Sequence, residues 1–257
     1  MDLKGKAAVV TGSSRGAGRA TAIALAKQGC SVLVNYNSAK DAADEVAGIV
    51  KSHGVDAVVF GGNVADDAAC RSMMDTAHEA FGRLDILVNN AGTTEFVKHD
   101  DLEGATDEIW DNIWAVNVKG PFQCIRAARD YLVASGDACV VNVASVAGVA
   151  GTGSSVPYCA SKAALINLGV TMARALGPEI RVNTVSPGFI AGDWLKAGLG
   201  DNYEKQKAAI AQRATLEKVS EPEDVADAIL CFITGSGLVT GQNIVCDGGS
   251  LLGPRLR

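Results

Sequence analysis

Short, nearly unbroken apolar runs alternate along this chain with longer segments whose apolar residues recur at helical spacing. The runs occupy residues 6–10, 31–35, 56–61, 84–89, 138–144, 180–186 and 243–246. The helical segments occupy residues 19–28, 39–52, 66–81, 106–134, 158–177 and about 221–233, the last opened by an expected capping box, Ser220-Glu-Pro-Glu223. Continuous apolar runs of this length are strands buried on both faces, covered by the helices between them. The alternation, with right-handed crossovers, predicts an α/β fold: a doubly wound parallel sheet of about seven strands with helices on both faces. Residues 191–215 fit this rhythm poorly, being irregular to helical with Trp194, Leu195, Leu199 and Tyr203 among charges, and read as a candidate lid. No linker, low-complexity tract or repeat interrupts the chain, so a single domain over 1–257 is expected.

Composition narrows the function classes. With 257 residues, of which 48% are hydrophobic, the chain can bury a substantial core. A formal charge of −6 without a basic block argues against nucleic acid or an anionic membrane as partner. There is no long apolar span, and Met1-Asp-Leu-Lys4 does not resemble a signal peptide, so a soluble, cytoplasmic protein is expected. Seven scattered cysteines form no Cys-x-x-Cys pair and read as small hydrophobes, Cys159 beside Tyr158 included. His53, His78 and His99 lack metal-ligand spacing, so no metal is expected, and solvated positions suit them.

The first strand runs into Thr11-Gly12-Ser13-Ser14-Arg15-Gly16-Ala17-Gly18 and then into an alanine-rich helix. A strand, glycine turn and helix in that order aim free N–H groups and the positive end of a helix dipole at a phosphate. Gly12 permits the turn, Gly16 lets a pyrophosphate approach the main chain, and Gly18 lets helix pack on strand. An acidic residue about 20 positions on would select NAD through its ribose hydroxyl. That slot holds Tyr36 and Asn37, and Arg15, Ser38 and Lys40 suit a 2′-phosphate, so NADP is favoured over NAD. Asn63-Val64 and Asn89-Asn90-Ala91-Gly92 end later strands at the edge where such sheets bind ligands, within reach of adenine and ribose.

Tyr158 and Lys162 lie four residues apart, about one helical turn, and share a face. A fixed ammonium lowers a phenol's pKa towards neutrality, which would make Tyr158 an acid–base group. Ser145 ends the fifth strand at the same edge. Within the long fourth helix, Pro121 has no N–H for the carbonyl of Asn117, which leaves a plausible water site.

Together these residues resemble the short-chain dehydrogenase/reductase family over essentially the whole chain. The matching motifs are Thr11-Gly-Ser-Ser-Arg-Gly-Ala-Gly18, Asn89-Asn-Ala-Gly92, Asn117, Ser145, Tyr158-x-x-x-Lys162, Pro187-Gly188 and Asp247-Gly-Gly249. The opening loop and Asn35-Tyr-Asn37 look most like members related to 3-oxoacyl-carrier-protein reductase. The resemblance implies that Tyr158 is the general acid–base and that Ser145 holds the substrate oxygen. Lys162 would tune the phenol and bind the nicotinamide ribose, and Asn117 would anchor a relay water. It also implies cofactor contacts from Pro187, Gly188 and Ile190, and a homotetramer built on the Asn117 and Tyr158 helices. The family's threonine near the nicotinamide amide is replaced by Gly192, its usual acid by Asn63 and a common isoleucine by Ala17.

The expected activity is hydride transfer between NADP(H) and a carbonyl/secondary-alcohol pair, a 3-oxoacyl thioester or small ketone among the candidates. The rivals are an NAD-dependent alcohol or sugar dehydrogenase of the same family and a nucleotide-binding regulatory protein without turnover. Thr94, Glu95, Phe96 and Trp194 are expected to border the substrate, and Arg126, Arg129 and Arg174 are candidates for meeting an acidic carrier protein.

Overall fold

The structure, a computed structural model, describes residues 1–254; the last positions of the expected 1–257 domain lie outside the described residues. Seven strands are present: β1 (Ala7–Val10), β2 (Ser31–Tyr36), β3 (Ala57–Gly61), β4 (Ile86–Asn89), β5 (Ala138–Val143), β6 (Ile180–Pro187) and β7 (Asn243–Cys246). They form one parallel sheet in the order β3-β2-β1-β4-β5-β6-β7. The order reverses between β1 and β4, which opens a crevice above the C-terminal ends of those two strands.

The helices are α1 (Gly16–Lys27), α2 (Lys40–Ser52), α3 (Asp67–Phe81), α4 (Asp107–Trp114), α5 (Gly120–Ser135), α6 (Ala147–Ala150), α7 (Val156–Leu176), α8 (Asp193–Leu199), α9 (Tyr203–Arg213) and α10 (Pro222–Thr234). Alternate strand residues feed two cores, as the pleat requires. Ala8, Val10, Val32 and Val34 meet Leu25, Val46, Val50 and Ile229 of α1, α2 and α10. Val9, Leu33, Leu87 and Val140 meet Met73, Met74, Ile125 and Leu132 of α3 and α5. No helix among the described residues is long and apolar enough to cross a membrane.

Two local features differ from expectation, and a third adds an element that the apolar pattern does not mark. The segment read as one helix over 106–134 is two helices joined by a π-helical turn, Ala115–Lys119, in which the Gly120 N–H bonds the Ala115 carbonyl five residues back. Pro121, lacking a donor, makes the ordinary register unworkable there, and the wider turn absorbs the defect. The last helix is capped one residue later than expected, by Glu221 and Asp224 rather than Ser220 and Glu223. Ser220 instead bonds the Cys246 carbonyl at 3.0 Å. Finally, the stretch between Ser145 and Tyr158 contains the short helix α6, closed by Gly151 in the left-handed region.

Candidate active site

The loops after β1 to β6 surround one cavity of about 1470 Å³. It is lined by Gly12, Ser14, Arg15, Gly16 and Ala17 after β1, by Asn37 and Ser38 after β2, and by Asn63 and Val64 after β3. Asn90, Ala91 and Gly92 follow β4, Ser145 follows β5, Tyr158 and Lys162 rise from α7, and Pro187, Gly188 and Ile190 follow β6. Of the expected catalytic residues and the glycines of the opening loop, Asn117 and Gly18 do not line it.

Both lie beneath the surface as supports. A Cβ on Gly18 would strike the Asn90 side chain and the Gly12 carbonyl, so Gly18 lets α1 close on the β4 loop rather than on a strand. Gly16, at φ +57°, faces open space at the start of α1, where the free helical N–H groups point into the cavity. The fully buried Asn117 side chain accepts from the Thr93 N–H at 2.8 Å, donates to the Thr93 carbonyl at 2.9 Å and to Ser161 Oγ at 3.1 Å. Its amide therefore clamps the loop after β4, and only its main chain is left to hold a water.

Other amides also face inward. Asn90 Nδ2 donates to the carbonyls of Thr11 and Gly12 at 2.9 and 3.0 Å, and Asn89 Nδ2 to Asn142 Oδ1 at 2.9 Å. Neither is placed to read adenine through its side chain. Asn63 Oδ1 accepts from the Ala65 N–H at 2.9 Å, and the residue lines the cavity with its amino group uncommitted to that turn. Sequence reading missed two braces, Thr11 and Asn35. Thr11 Oγ1 accepts from the N–H groups of Asn90 and Ala91, both at 3.0 Å. Asn35 Oδ1 accepts from the Gly12 N–H at 2.9 Å, and its Nδ2 donates to the carbonyls of Phe60 and Gly62. A buried amide at a strand end, sharing a sheet edge with a glycine loop, is the only sequence signal for such a role.

At the other end, Ser155 caps α7 by accepting from the Tyr158 N–H. Lys162 is buried, donates to the Val143 carbonyl at 2.9 Å, and holds its Nζ 5.7 Å from the centre of the Tyr158 ring. The ammonium thus lies over the Tyr158 ring and gives its hydrogen bond to the Val143 carbonyl. Burial pushes the Tyr158 phenol up to about 12, with a Ser145 side-chain hydrogen bond pulling the other way. Burial also takes Lys162 down to about 8. The expectation that Lys162 draws the phenol towards neutrality is therefore corrected, because desolvation opposes both charged forms.

The matching family, described as enoyl-(acyl carrier protein) reductase, covers residues 12–250. The chain is 38% identical over 245 residues to a protein of Streptomyces violaceoruber named as ketoacyl reductase 2 of the granaticin polyketide synthase, covering 95% of this chain and 96% of that one. It is 35% identical over 246 residues to a 3-oxoacyl-[acyl-carrier-protein] reductase of Staphylococcus aureus, covering 95% and 97%. A crystal structure described as a short-chain dehydrogenase/reductase from Burkholderia xenovorans superposes with a TM-score of 0.89 at 34% identity, covering 96% of this chain and 98% of the other. The chain belongs to the short-chain dehydrogenase/reductase family. Like its relatives there, it is an oxidoreductase acting on CH–OH and C=O groups.

Further expectations for this family member need correcting. Lys40 is bonded to Asp44 at 2.6 Å and does not line the cavity. Thr94 and Glu95 stand outside the lining, and Thr94 Oγ1 bonds Ser154 Oγ at 2.5 Å. His78 stacks on Tyr131 at 4.5 Å and His99 bonds the Gly153 carbonyl at 3.1 Å, so neither is simply solvated. Arg126 is paired with Asp67 at 2.6 Å and Arg129 with Asp130 at 3.5 Å, which leaves Arg174 alone of the three without an ion pair among the described residues. Gly192 caps α8 by bonding its N–H to Tyr203 Oη at 3.2 Å, a main-chain task that leaves no side chain for the nicotinamide amide.

Proposed function

We propose that the protein transfers a hydride between NADP(H) and a carbonyl/secondary-alcohol substrate. The observation that carries this is the arrangement of one cavity, with a glycine-cradled helix start at one end and Ser145, Tyr158 and buried Lys162 at the other. The cradle fits a dinucleotide: a side chain at Gly12 would come within 2.9 Å of the Ala91 main chain, while Gly16 leaves open space for a pyrophosphate. The family's use of a nicotinamide cofactor agrees with this fit.

Charge supports the phosphorylated form. In a chain of net charge −6, the cavity lining holds Arg15, Lys98, Lys162 and Arg213 against a single carboxylate, Asp193. Arg15 makes no ion pair among the described residues, and exposed Asn37 and Ser38 replace the acid that would repel a 2′-phosphate. When bound, the nicotinamide supplies or accepts the hydride. Ser145 and Tyr158 hold the substrate oxygen, and the neutral phenol of Tyr158 donates the proton as negative charge develops there. Lys162 keeps a positive charge beneath the phenol and meets the nicotinamide ribose. Asn117 fixes the loop at Thr93 and, through its main chain in the π-helical turn, offers the site of a relay water.

Tryptophan-fluorescence titration with NADPH and NADH tests the cofactor: NADPH binds more tightly, and tighter NADH binding overturns the reading of Arg15, Asn37 and Ser38. Tyr158→Phe tests the chemistry. The rate of ketone reduction falls on the order of 10²- to 10⁴-fold while NADPH affinity holds. Full turnover in that variant would remove Tyr158 from the reaction. We also propose a homotetramer, supported by exposed Trp114, Phe122, Val156 and Val170 on α4, α5 and α7, with sedimentation velocity as its measurement.

A further inference from the structure

The roof of the substrate end has an aromatic face that the oxidoreductase chemistry does not require. Trp194 is half exposed, and its ring lies 6.4 Å from that of Tyr158, tilted by 52°. It stands on α8, whose Trp194 and Gly198 are one turn apart and share a face, with Leu195 and Leu199 beside them. Opposite is Phe96, on the loop after β4. That loop is fastened to the 153–154 turn by the Val97 N–H to the Ser154 carbonyl at 3.0 Å, by Thr94 to Ser154 and by His99 to Gly153. The two walls touch where the Phe96 ring lies across Gly198, so closely that a Cβ there would overlap it. Phe96, Val97, Trp194, Leu195 and Leu199 all line the cavity. The ion-paired Asp193 and Lys196, 3.6 Å apart, are the charged groups of α8.

We propose that Trp194 is a specificity-determining residue that selects ketones bearing a flat apolar ring directly on the carbonyl. This rests on the reading of Tyr158 as proton donor. A carbonyl oxygen held by Tyr158 and Ser145 places its nearest substituent against the exposed Trp194 face, and offset or tilted rings at such separations attract beyond the area they bury. The Phe96–Gly198 contact closes the slot a short way out, which favours a compact ring over an extended chain.

The test compares NADPH-dependent reduction of acetophenone with that of 2-octanone, an aliphatic methyl ketone of equal carbon count, by the full chain and its Trp194→Ala and Trp194→Phe variants. The wild type favours acetophenone. Trp194→Ala lowers kcat/KM for acetophenone on the order of ten-fold, mainly through KM, and changes the aliphatic ketone less than about two-fold. Trp194→Phe restores most of the preference. Equal losses for both ketones, no loss, or no wild-type preference overturns the proposal. If the wild type reduces neither ketone, neither is a substrate, the proton-donor reading is left to Tyr158→Phe, and the proposal is decided by binding. Ligand-observed NMR titration of acetophenone then shows on the order of ten-fold weaker Kd in Trp194→Ala, and an unchanged Kd overturns it.

Discussion

The cavity floor is framed by polar side chains that bond main chain, buried Thr11 to the Asn90 and Ala91 N–H groups, buried Asn35 to Gly12, Phe60 and Gly62, half-buried Asn90 to Thr11 and Gly12, and buried Asn117 to Thr93. The roof is made differently. Helix α8 buries no residue and is held mainly by side chains, with Phe96 across Gly198, Tyr158 against Trp194 at 6.4 Å and Lys196 over the Tyr203 ring, besides one Gly192–Tyr203 hydrogen bond at its start. A floor that loses any brace leaves a buried donor or acceptor unpaired, whereas a roof that opens returns its polar groups to water. In the proposed binding mode, a cofactor that every turnover needs meets a rigid cradle, and a substrate that must enter and leave meets an element of low local stability.

The largest effect separating the two is expected from Asn35→Ala. It removes the acceptor of the Gly12 N–H and the donor to two carbonyls from a residue that is almost fully buried. A loss of about 3 kcal/mol in urea unfolding follows, with weaker NADPH binding, since the glycine turn loses its anchor. A loss below about 1 kcal/mol would mean that water replaces the amide and that the floor is no stiffer than the roof.

How far these features were legible in the chain follows the same division. The continuous apolar strands and the glycine positions at their ends revealed the sheet and the edge where the cavity opens, because backbone periodicity fixes both; the lining supplied by residues 96–99, 152–154 and 189–213 carried no such signal. The sequence could not show which way an amide points. Asn90 and Asn117 carry the donors and acceptors for a ligand contact, yet packing turns both inward onto main chain. Lys162 was readable as Tyr158's neighbour at one helical turn. The sign of the shifts was not, because desolvation depends on what α7 is packed against.

The next effect concerns the floor's charge. Burial lowers Lys162 to about 8, so its ammonium is present below that pH and lost above it, while Tyr158 keeps its proton up to about 12. Below about 8 the pair is a neutral phenol with a cation over its ring, the form that the proposed reduction requires. Ketone reduction, followed as kcat/KM for NADPH, is therefore flat through neutrality and falls by up to about ten-fold per pH unit above 8. Alcohol oxidation, which needs Tyr158 as a phenolate to take the alcohol proton, rises with pH instead. A reduction rate that climbs through this window would show that the Lys162 charge is not required, and the floor would then be a scaffold rather than an electrostatic partner.

The smallest effect belongs to the roof. Tyr203→Phe keeps the buried ring against Phe189 and removes only the hydroxyl that accepts from the Gly192 N–H at 3.2 Å. That N–H starts α8, where opening exposes it to water, so the net cost is about 1 kcal/mol or less and falls on the closed roof. The unfolding midpoint stays within error of the wild type, while KM for the ketone rises roughly three-fold as the closed fraction drops. Because Trp194 rides on the same helix, the rise is larger for a ring-bearing ketone than for an aliphatic one. If Tyr203→Phe instead lowers the unfolding midpoint as far as Asn35→Ala does, α8 belongs to the cooperative core, and the contrast between a rigid cradle and a yielding roof fails.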